Sequence, residues 1–139
     1  MAAEVKTNVK RAVAKRTGHF EHLVVVGDHR LVTDEPGSLG GTNAGPSPQE
    51  LLAASLAACT ATTIEMYAAH KGWELGEVKV KCEYEPAKRG SPTTFNTVIC
   101  LPPGLDEEQT RRIGEIAAKC PVHRTLDGEV IFNESLTVQ

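Results

Sequence analysis

The chain has 139 residues, which is enough for one domain but leaves little material for two independent cores. With 40% hydrophobic and 24% charged residues, its composition is that of a folded globular protein rather than a disordered one. A net charge of −3 argues against nucleic acid as the main partner, because binding phosphates requires a basic face. We therefore predict a single domain over residues 1–139 that does not bind nucleic acid.

The first part of the chain is predicted to form an antiparallel meander. Residues 8–16, 19–26 and 29–34 have the composition of strands, and Gly27 and Asp28 form a tight turn between the second and the third. The following segment, residues 35–48, is rich in glycine and proline and is predicted to be a structured loop.

A long apolar helix is predicted after this loop. Ser47 is a good N-cap, Pro48 suits the first helical position, and Glu50 completes a capping box three residues after the cap. The helix is predicted to run to about Lys71. Apolar residues lie on every side of it, so it must be covered on every side. One small domain with few aromatic residues would cover it poorly, and we therefore expect a second subunit to supply part of the cover.

The C-terminal half is predicted to contain three strands and one amphipathic helix. Residues 78–85 alternate between apolar and charged side chains, which is typical of a half-buried strand, and a second strand follows at about 94–101. The helix is predicted over residues 106–119 and a final strand over about 129–138. Strands, a long helix, strands, a helix and a strand together predict an α+β domain.

The sequence predicts a cytoplasmic protein that is not inserted in a membrane. Its N-terminus lacks the apolar core of a signal peptide, and the longest uncharged apolar run, residues 51–64, is shorter than the roughly 20 residues that span a bilayer. In a reducing compartment four cysteines do not indicate a disulfide framework. The sequence contains no CxxC pair, which argues against a zinc site. Reactive or buried thiols remain: Cys59, Cys82, Cys100 and Cys120.

Two of the cysteines are candidates for chemistry. Cys59 lies in the apolar helix, too far from its N-terminus for the helix dipole to act on it, so a cation would have to lower its pKa. Cys120 lies at a helix end just before Pro121, where it could move or be reached. Either thiol could instead be a small buried hydrophobe. The candidate cations are His29, Arg30, His123 and Arg124.

The other cysteines and the histidines carry weaker signals. Cys82 shares the apolar face of its predicted strand, which favours a core position, and the direction of Cys100 is undecided. His19 and His22 would point to opposite faces of a strand, so they do not form a metal pair. The glycine-rich loop fits neither a dinucleotide-binding nor a phosphate-binding pattern. We therefore expect no metal and no cofactor.

Two segments together carry a family resemblance. The loop, cap, helix and first cysteine read GGTNAGPSPQELLAASLAAC over residues 40–59, and the second cysteine follows in KCPVHRTL over residues 119–126. The chain thereby resembles the OsmC/Ohr family of osmotically inducible and organic hydroperoxide resistance proteins, over about residues 16–138. This resemblance implies an OsmC-like α+β fold with antiparallel sheets around a long central helix, assembled as an intertwined homodimer.

The resemblance also implies an activity. Cys59 would be the thiolate that attacks a peroxide and becomes a sulfenic acid, and Cys120 would resolve it as a disulfide. A small dithiol or a lipoyl protein would then reduce the pair. In the organic hydroperoxide members a glutamate directly after the proline helps to hold an arginine against the thiolate. Gln49 stands there in this chain, so Glu50 is the candidate for the first role, and Arg30, with His29 as the alternative, is the candidate for the second.

The sequence leaves two other functions open. CPVHRTL and the short middle section are more similar to the OsmC-like branch than to either named enzyme group. A protein of this branch could bind a small hydrophobic ligand or sense redox state without catalysis. A Cys/His hydrolase that uses Cys59 with His29 or His123 is a further alternative.

Overall fold

The computed structural model of the protein describes residues 8–139. The predicted absence of an export signal concerns the N-terminal segment, and part of that segment lies outside the described residues. The chain divides into two compact units, Met1–Leu51 and Leu52–Gln139, and each is described by itself.

The first unit contains the predicted meander. Strands β1 (Val13–Arg16), β2 (His22–Val26) and β3 (His29–Thr33) form an antiparallel sheet in the order β1-β2-β3. Val26 pairs with His29, so the turn between β2 and β3 consists of Gly27 and Asp28, as predicted. Gly27 has φ of 59°, a backbone conformation that a side chain would strain.

Two of these strands begin later than the sequence predicts. The first starts at Val13 rather than at residue 8, and the second at His22 rather than at residue 19. The second start is shifted by a turn, in which the backbone N–H of Thr17 donates to the carbonyl of Glu21 at 2.9 Å. His19 therefore lies in this turn and not on a strand with His22.

The loop after β3 is built around a buried carboxylate. Asp34 is 2% exposed and accepts hydrogen bonds from the backbone N–H of Glu35, Thr42 and Ala44 and from the hydroxyl of Thr42, at 2.8–3.1 Å. These hydrogen bonds lower its pKa to about 2, the one from Ala44 contributing most. At Gly41 an added Cβ would lie 1.9 Å from the carbonyl oxygen of Glu35, so only glycine fits there.

Helix α1 (Pro48–Lys71) begins at the predicted capping box. The N–H of Ser47 donates to the Glu50 carboxylate at 3.0 Å, and the N–H of Glu50 donates to the Ser47 hydroxyl at 3.1 Å. The end near Lys71 is confirmed as well, since Gly72 with φ of 71° follows it.

Only one side of α1 is fully buried within the described residues. The buried stripe repeats every fourth residue, while other apolar positions are partly or largely exposed, and Met66 is 69% exposed. By length and composition α1 could also cross a membrane, but the core helix of a water-soluble protein passes the same test. The buried stripe consists of Leu56, Thr60, Ile64 and Ala68.

The second unit packs a two-stranded sheet with helices. Strands β4 (Lys79–Glu85) and β5 (Thr94–Cys100) pair antiparallel, and β4 shows the predicted alternation of exposed and half-buried residues. Helix α2 (Glu107–Ala117) starts at a capping box formed by Asp106 and Gln109. The core of this unit consists of Ile64, Ile113 and Ala117, with Trp73, Leu75, Val78, Ile99, Leu101 and Leu105 packed against it.

The C-terminal region differs from the prediction. A short helix, α3 (Pro121–Asp127), follows α2, because Pro121 starts a new helix as well as preventing the old one from continuing. The predicted final strand at 129–138 is wrong: residues 129–139 form no strand in the structure, and all of them are exposed. A strand requires a hydrogen-bonded neighbour, and the described part of the chain offers this segment none.

Candidate thiol site

Two cysteines from distant parts of the second unit lie side by side. Cys59 is on α1, Cys120 is the residue before α3, and both are free thiols. Cys120 raises the pKa of the Cys59 thiol, and the hydroxyl of Thr60, the residue after Cys59 on α1, lies 3.8 Å from the Cys120 sulfur. Sequence reasoning singled out both residues, but their contact depends on the packing of α3 near α1. Two cysteines that are distant in the sequence are thus neighbours in the fold, and we call them the thiol pair.

Cys120 is held tightly at the start of α3. Its side chain is fully buried, and its sulfur serves as the N-cap, accepting the backbone N–H of His123 at 3.2 Å. The hydroxyl of Thr60 lies 3.8 Å from the same sulfur. Pro121 explains the local geometry, because its fixed φ suits the first helical position and its missing N–H needs no acceptor.

Cys59 is more accessible, and its surroundings act on its pKa in opposite directions. Burial raises the pKa of the Cys59 thiol most strongly, and the neighbouring Cys120 raises it further. Hydrogen bonds from the backbone N–H of Val122 and from the hydroxyl of Thr63 lower it, but the net pKa is raised. Within the second unit, Cys59 is therefore a neutral thiol at neutral pH. If it loses its proton, the N–H of Val122 and the hydroxyl of Thr63 can donate to the thiolate.

The structure places two of the candidate cations in the second unit with the thiols and two in the first unit. His123 contacts Cys120 through its backbone N–H, and the side chains of His123 and Arg124 are exposed on α3. His29 and Arg30 lie on β3 of the first unit, where both are exposed. Within residues 8–139, no group of three histidine, cysteine or carboxylate side chains could hold a metal ion.

Glu50 belongs to the first unit and serves the helix cap there. The hydrogen bonds from the N–H and hydroxyl of Ser47 lower the pKa of the Glu50 carboxyl group, so it is ionised at neutral pH. The capping role that the sequence predicted is confirmed. Its exposed carboxylate leaves a second contact possible.

Sequence reasoning missed the hydroxyl and amide groups around the two sulfurs. Thr60 and Thr63 follow Cys59 by one and four positions, and the two amides belong to an unpredicted helix. Threonines on an otherwise apolar helix were a usable signal, because a buried hydroxyl needs a hydrogen-bonding partner.

A cavity of about 730 Å³ lies in the second unit beside Cys120. Its walls are mostly apolar, and Thr60 and His123, both in contact with the Cys120 sulfur, are among the lining residues. Tyr84 and Phe95 stack in its wall with ring centroids 4.9 Å apart. Its volume is in the range of small-molecule pockets.

The half-buried cysteines of the sheet do not join the thiol pair. Cys82 faces the same side of β4 as Val80 and Tyr84 and is half-buried, so the predicted inward direction holds although the residue is not fully buried. Cys100 ends β5, opposite Lys79, and is also half-buried. The site therefore contains two of the four thiols.

Fold and site together define an α+β thiol protein with two small antiparallel sheets and a long helix. The family described as OsmC-like protein matches residues 41–135, a span that contains both cysteines of the pair. The chain belongs to this family. Among curated proteins, none matches the chain significantly.

Solved structures of similar fold carry names from the same family. A Psychrobacter arcticus protein named for osmotic stress induction and detoxification response is 20% identical, with a TM-score of 0.75 over 90% of this chain and 91% of its own. The organic hydroperoxide resistance protein OsmC of Legionella pneumophila is 22% identical, with a TM-score of 0.66 over 89% and 93%. OhrB of Bacillus subtilis is 20% identical, with a TM-score of 0.59 over 86% and 91%. At these identities the similarity establishes the fold.

Proposed function

We propose that the protein is a thiol peroxidase that reduces organic hydroperoxides or hydrogen peroxide. The observation that carries this proposal is the proximity of Cys59 and Cys120: Thr60, next to Cys59 on α1, has its hydroxyl 3.8 Å from the Cys120 sulfur, and Cys120 raises the pKa of Cys59. The names of the neighbours, which refer to organic hydroperoxide resistance, support a redox role of the same kind.

The proposed reaction has two steps in which atoms and electrons balance. Cys59 first gives up its proton, its thiolate then attacks the O–O bond and takes one oxygen as a sulfenic acid, and the other oxygen takes up a proton and leaves as alcohol or water. The Cys120 thiol then displaces the sulfenic hydroxyl, which departs as water, and a Cys59–Cys120 disulfide forms. A small dithiol or a lipoyl protein reduces this disulfide by thiol exchange and restores both thiols.

The difference in exposure between the two sulfurs supports the assignment of roles. Cys59 is half-buried and can meet a peroxide, while Cys120 is fully buried against Cys59 and suits a resolving thiol. The N–H of Val122 and the hydroxyl of Thr63 stabilise a thiolate at Cys59 once its proton has left.

Mapping the cysteines after oxidation tests the proposal directly. One equivalent of cumene hydroperoxide should convert two free thiols into a single disulfide, and mass spectrometry of the digest should find Cys59 joined to Cys120. Cys82 and Cys100 should remain alkylatable. If Cys59 stays reduced under these conditions, the peroxidase proposal fails.

We further propose that Arg30 and Glu50 help to ionise Cys59. Arg30 would supply the positive charge that the second unit does not place on Cys59, and the ionised Glu50 carboxylate would orient it. Glu50→Gln retains a side chain that can cap the helix, so the melting temperature should hold while the thiolate fraction of Cys59 at pH 7 falls several-fold. The rate of Cys59 alkylation against pH measures this. An unchanged rate profile would leave Glu50 with its capping role alone.

We also propose that the protein is a soluble cytoplasmic homodimer. The uncovered apolar sides of α1 support a partner subunit, and so does the exposed tail, in which Leu136 is 100% exposed. Multi-angle light scattering should give twice the mass of one chain, and a variant that ends at Gly128 should lose part of this association. A monomeric mass at micromolar concentration would overturn the dimer.

A second candidate function rests on the cavity beside Cys120. An apolar space of about 730 Å³ could hold a small hydrophobic molecule, with the thiol pair as a redox sensor rather than a catalyst. A ligand that copurifies with the protein, together with peroxide turnover no faster than that of a free thiol, would favour this function over the first.

A further inference from the structure

Thr60 contacts one member of the thiol pair and also lines the cavity. It is 4% exposed, on the buried stripe of α1, and its hydroxyl is 3.8 Å from the fully buried Cys120 sulfur. The same hydroxyl donates to the carbonyl of Leu56 at 2.8 Å. It therefore has two possible acceptors, the Leu56 carbonyl and the Cys120 sulfur.

A threonine hydroxyl has a single hydrogen, so it can serve one of these acceptors at a time. While Cys120 is a neutral thiol, the hydroxyl can keep its bond to Leu56 and accept the S–H hydrogen of Cys120. When Cys120 is a thiolate, rotation about the Cβ–Oγ bond directs the hydroxyl hydrogen to the sulfur. Leu56 loses little by this change, because its carbonyl is also the acceptor for the helical N–H four residues later.

We propose that Thr60 is a positioning residue for Cys120, holding its thiol toward Cys59 and supporting its thiolate while the disulfide closes. This inference rests on the proposed redox role of the pair and assigns one residue to its second step. In that step a new S–S bond forms, the bond from the Cys59 sulfur to its leaving group breaks, and the proton of Cys120 leaves with that group.

The burial of Cys120 makes such a donor necessary. A thiolate shielded from water is unfavourable unless hydrogen bonds replace its hydration. The N–H of His123, at 3.2 Å, supplies one such bond from α3, and the Thr60 hydroxyl is the side-chain donor on the α1 side. Removing the hydroxyl should therefore slow the step in which Cys120 reacts and spare the step in which Cys59 reacts.

The chain offers matched variants for a test. Thr60→Val keeps the shape and removes the hydroxyl, whereas Thr60→Ser keeps the hydroxyl. Thr62→Val makes the first change at an exposed position two residues further along α1. All three are placed in a chain in which Cys82 and Cys100 are serine, so that only the pair reacts.

Disulfide closure can be measured without peroxide. An aromatic disulfide reagent with a coloured leaving thiol first forms a mixed disulfide on Cys59, and Cys120 then displaces a second coloured thiol. Stopped-flow absorbance separates the two releases. In Thr60→Val the first release should keep its rate and the second should slow by about tenfold, the effect of one hydrogen bond to a charged group. Thr60→Ser and Thr62→Val should both behave as the parent.

Two outcomes would overturn the inference: a second release at the parent rate in Thr60→Val, or an equal slowing in Thr60→Ser. If Thr60→Val does not melt cooperatively, Thr60→Ala replaces it in the same comparison with Thr60→Ser. The peroxidase proposal is judged separately, by cumene hydroperoxide. A parent protein that closes the disulfide with the aromatic reagent but not with peroxide would disprove the peroxidase and leave the role of Thr60 standing.

Discussion

Replacing Cys59 by serine should reduce peroxide consumption by about a hundredfold or more, because a serine hydroxyl has no thiolate to attack the O–O bond. Cys59 is the more exposed member of the thiol pair and has donors from Thr63 and Val122 that favour its thiolate. The assay follows loss of hydroperoxide with a dithiol as reductant. Cys82→Ser is the matched control, since Cys82 is also half-buried but lies on β4, and it should keep the parent rate.

Cys120→Ser should abolish disulfide formation and leave the first reaction with peroxide intact. Cys59 should still react once with peroxide, but its sulfenic acid should persist because no neighbouring thiol can displace the hydroxyl. A sulfenate-trapping diketone should then label Cys59 in this variant and much less in the parent. Labelling at Cys120 in a Cys59→Ser chain would reverse the two roles. Consumption at the parent rate by Cys59→Ser would exclude the mechanism altogether.

The sequence predicted those features of the site that depend on neighbouring residues. The cap formed by Ser47 and Glu50 and the length of α1 follow from local patterns, since they involve contacts within a few positions of the chain. The Gly27-Asp28 hairpin turn is of the same kind. Position alone, in an apolar helix for Cys59 and before a proline for Cys120, made each a candidate without excluding a buried structural thiol, and only the family resemblance implied that the two act as a pair.

The remaining features depend on contacts between distant residues. Nothing local shows that Cys120 caps a new helix, because Pro121 ends one helix and starts another with the same fixed φ. Likewise, one of the two partners of the Thr60 hydroxyl, the Cys120 sulfur, is 60 residues away. The tail at 129–138 has the alternation of a strand, but alternation cannot supply the neighbour that a strand requires.

Protonation of Asp34 should account for part of the stability that the parent loses in acid, and Asp34→Asn should remove this part of the pH dependence. The folded-state pKa of Asp34 is about 2, below its ordinary value of 3.8, so its ionised form stabilises the fold. That contribution is fully present above about pH 4 and is lost as the pH falls toward 2. The four hydrogen bonds that it accepts hold the loop between β3 and α1.

An asparagine at position 34 turns an NH₂ group toward donors that need an acceptor, so the variant should melt roughly 10 °C lower at pH 7. The difference from the parent should narrow between pH 4 and pH 2, where the parent loses its carboxylate. Melting temperatures over this pH range measure both effects. Asp28→Asn, at an exposed turn residue of the same unit, should change neither. If the melting temperatures of the parent and of Asp34→Asn stay equally far apart down to pH 2, the loop does not depend on this charge. The tight packing at Gly41 would then be what fixes the loop.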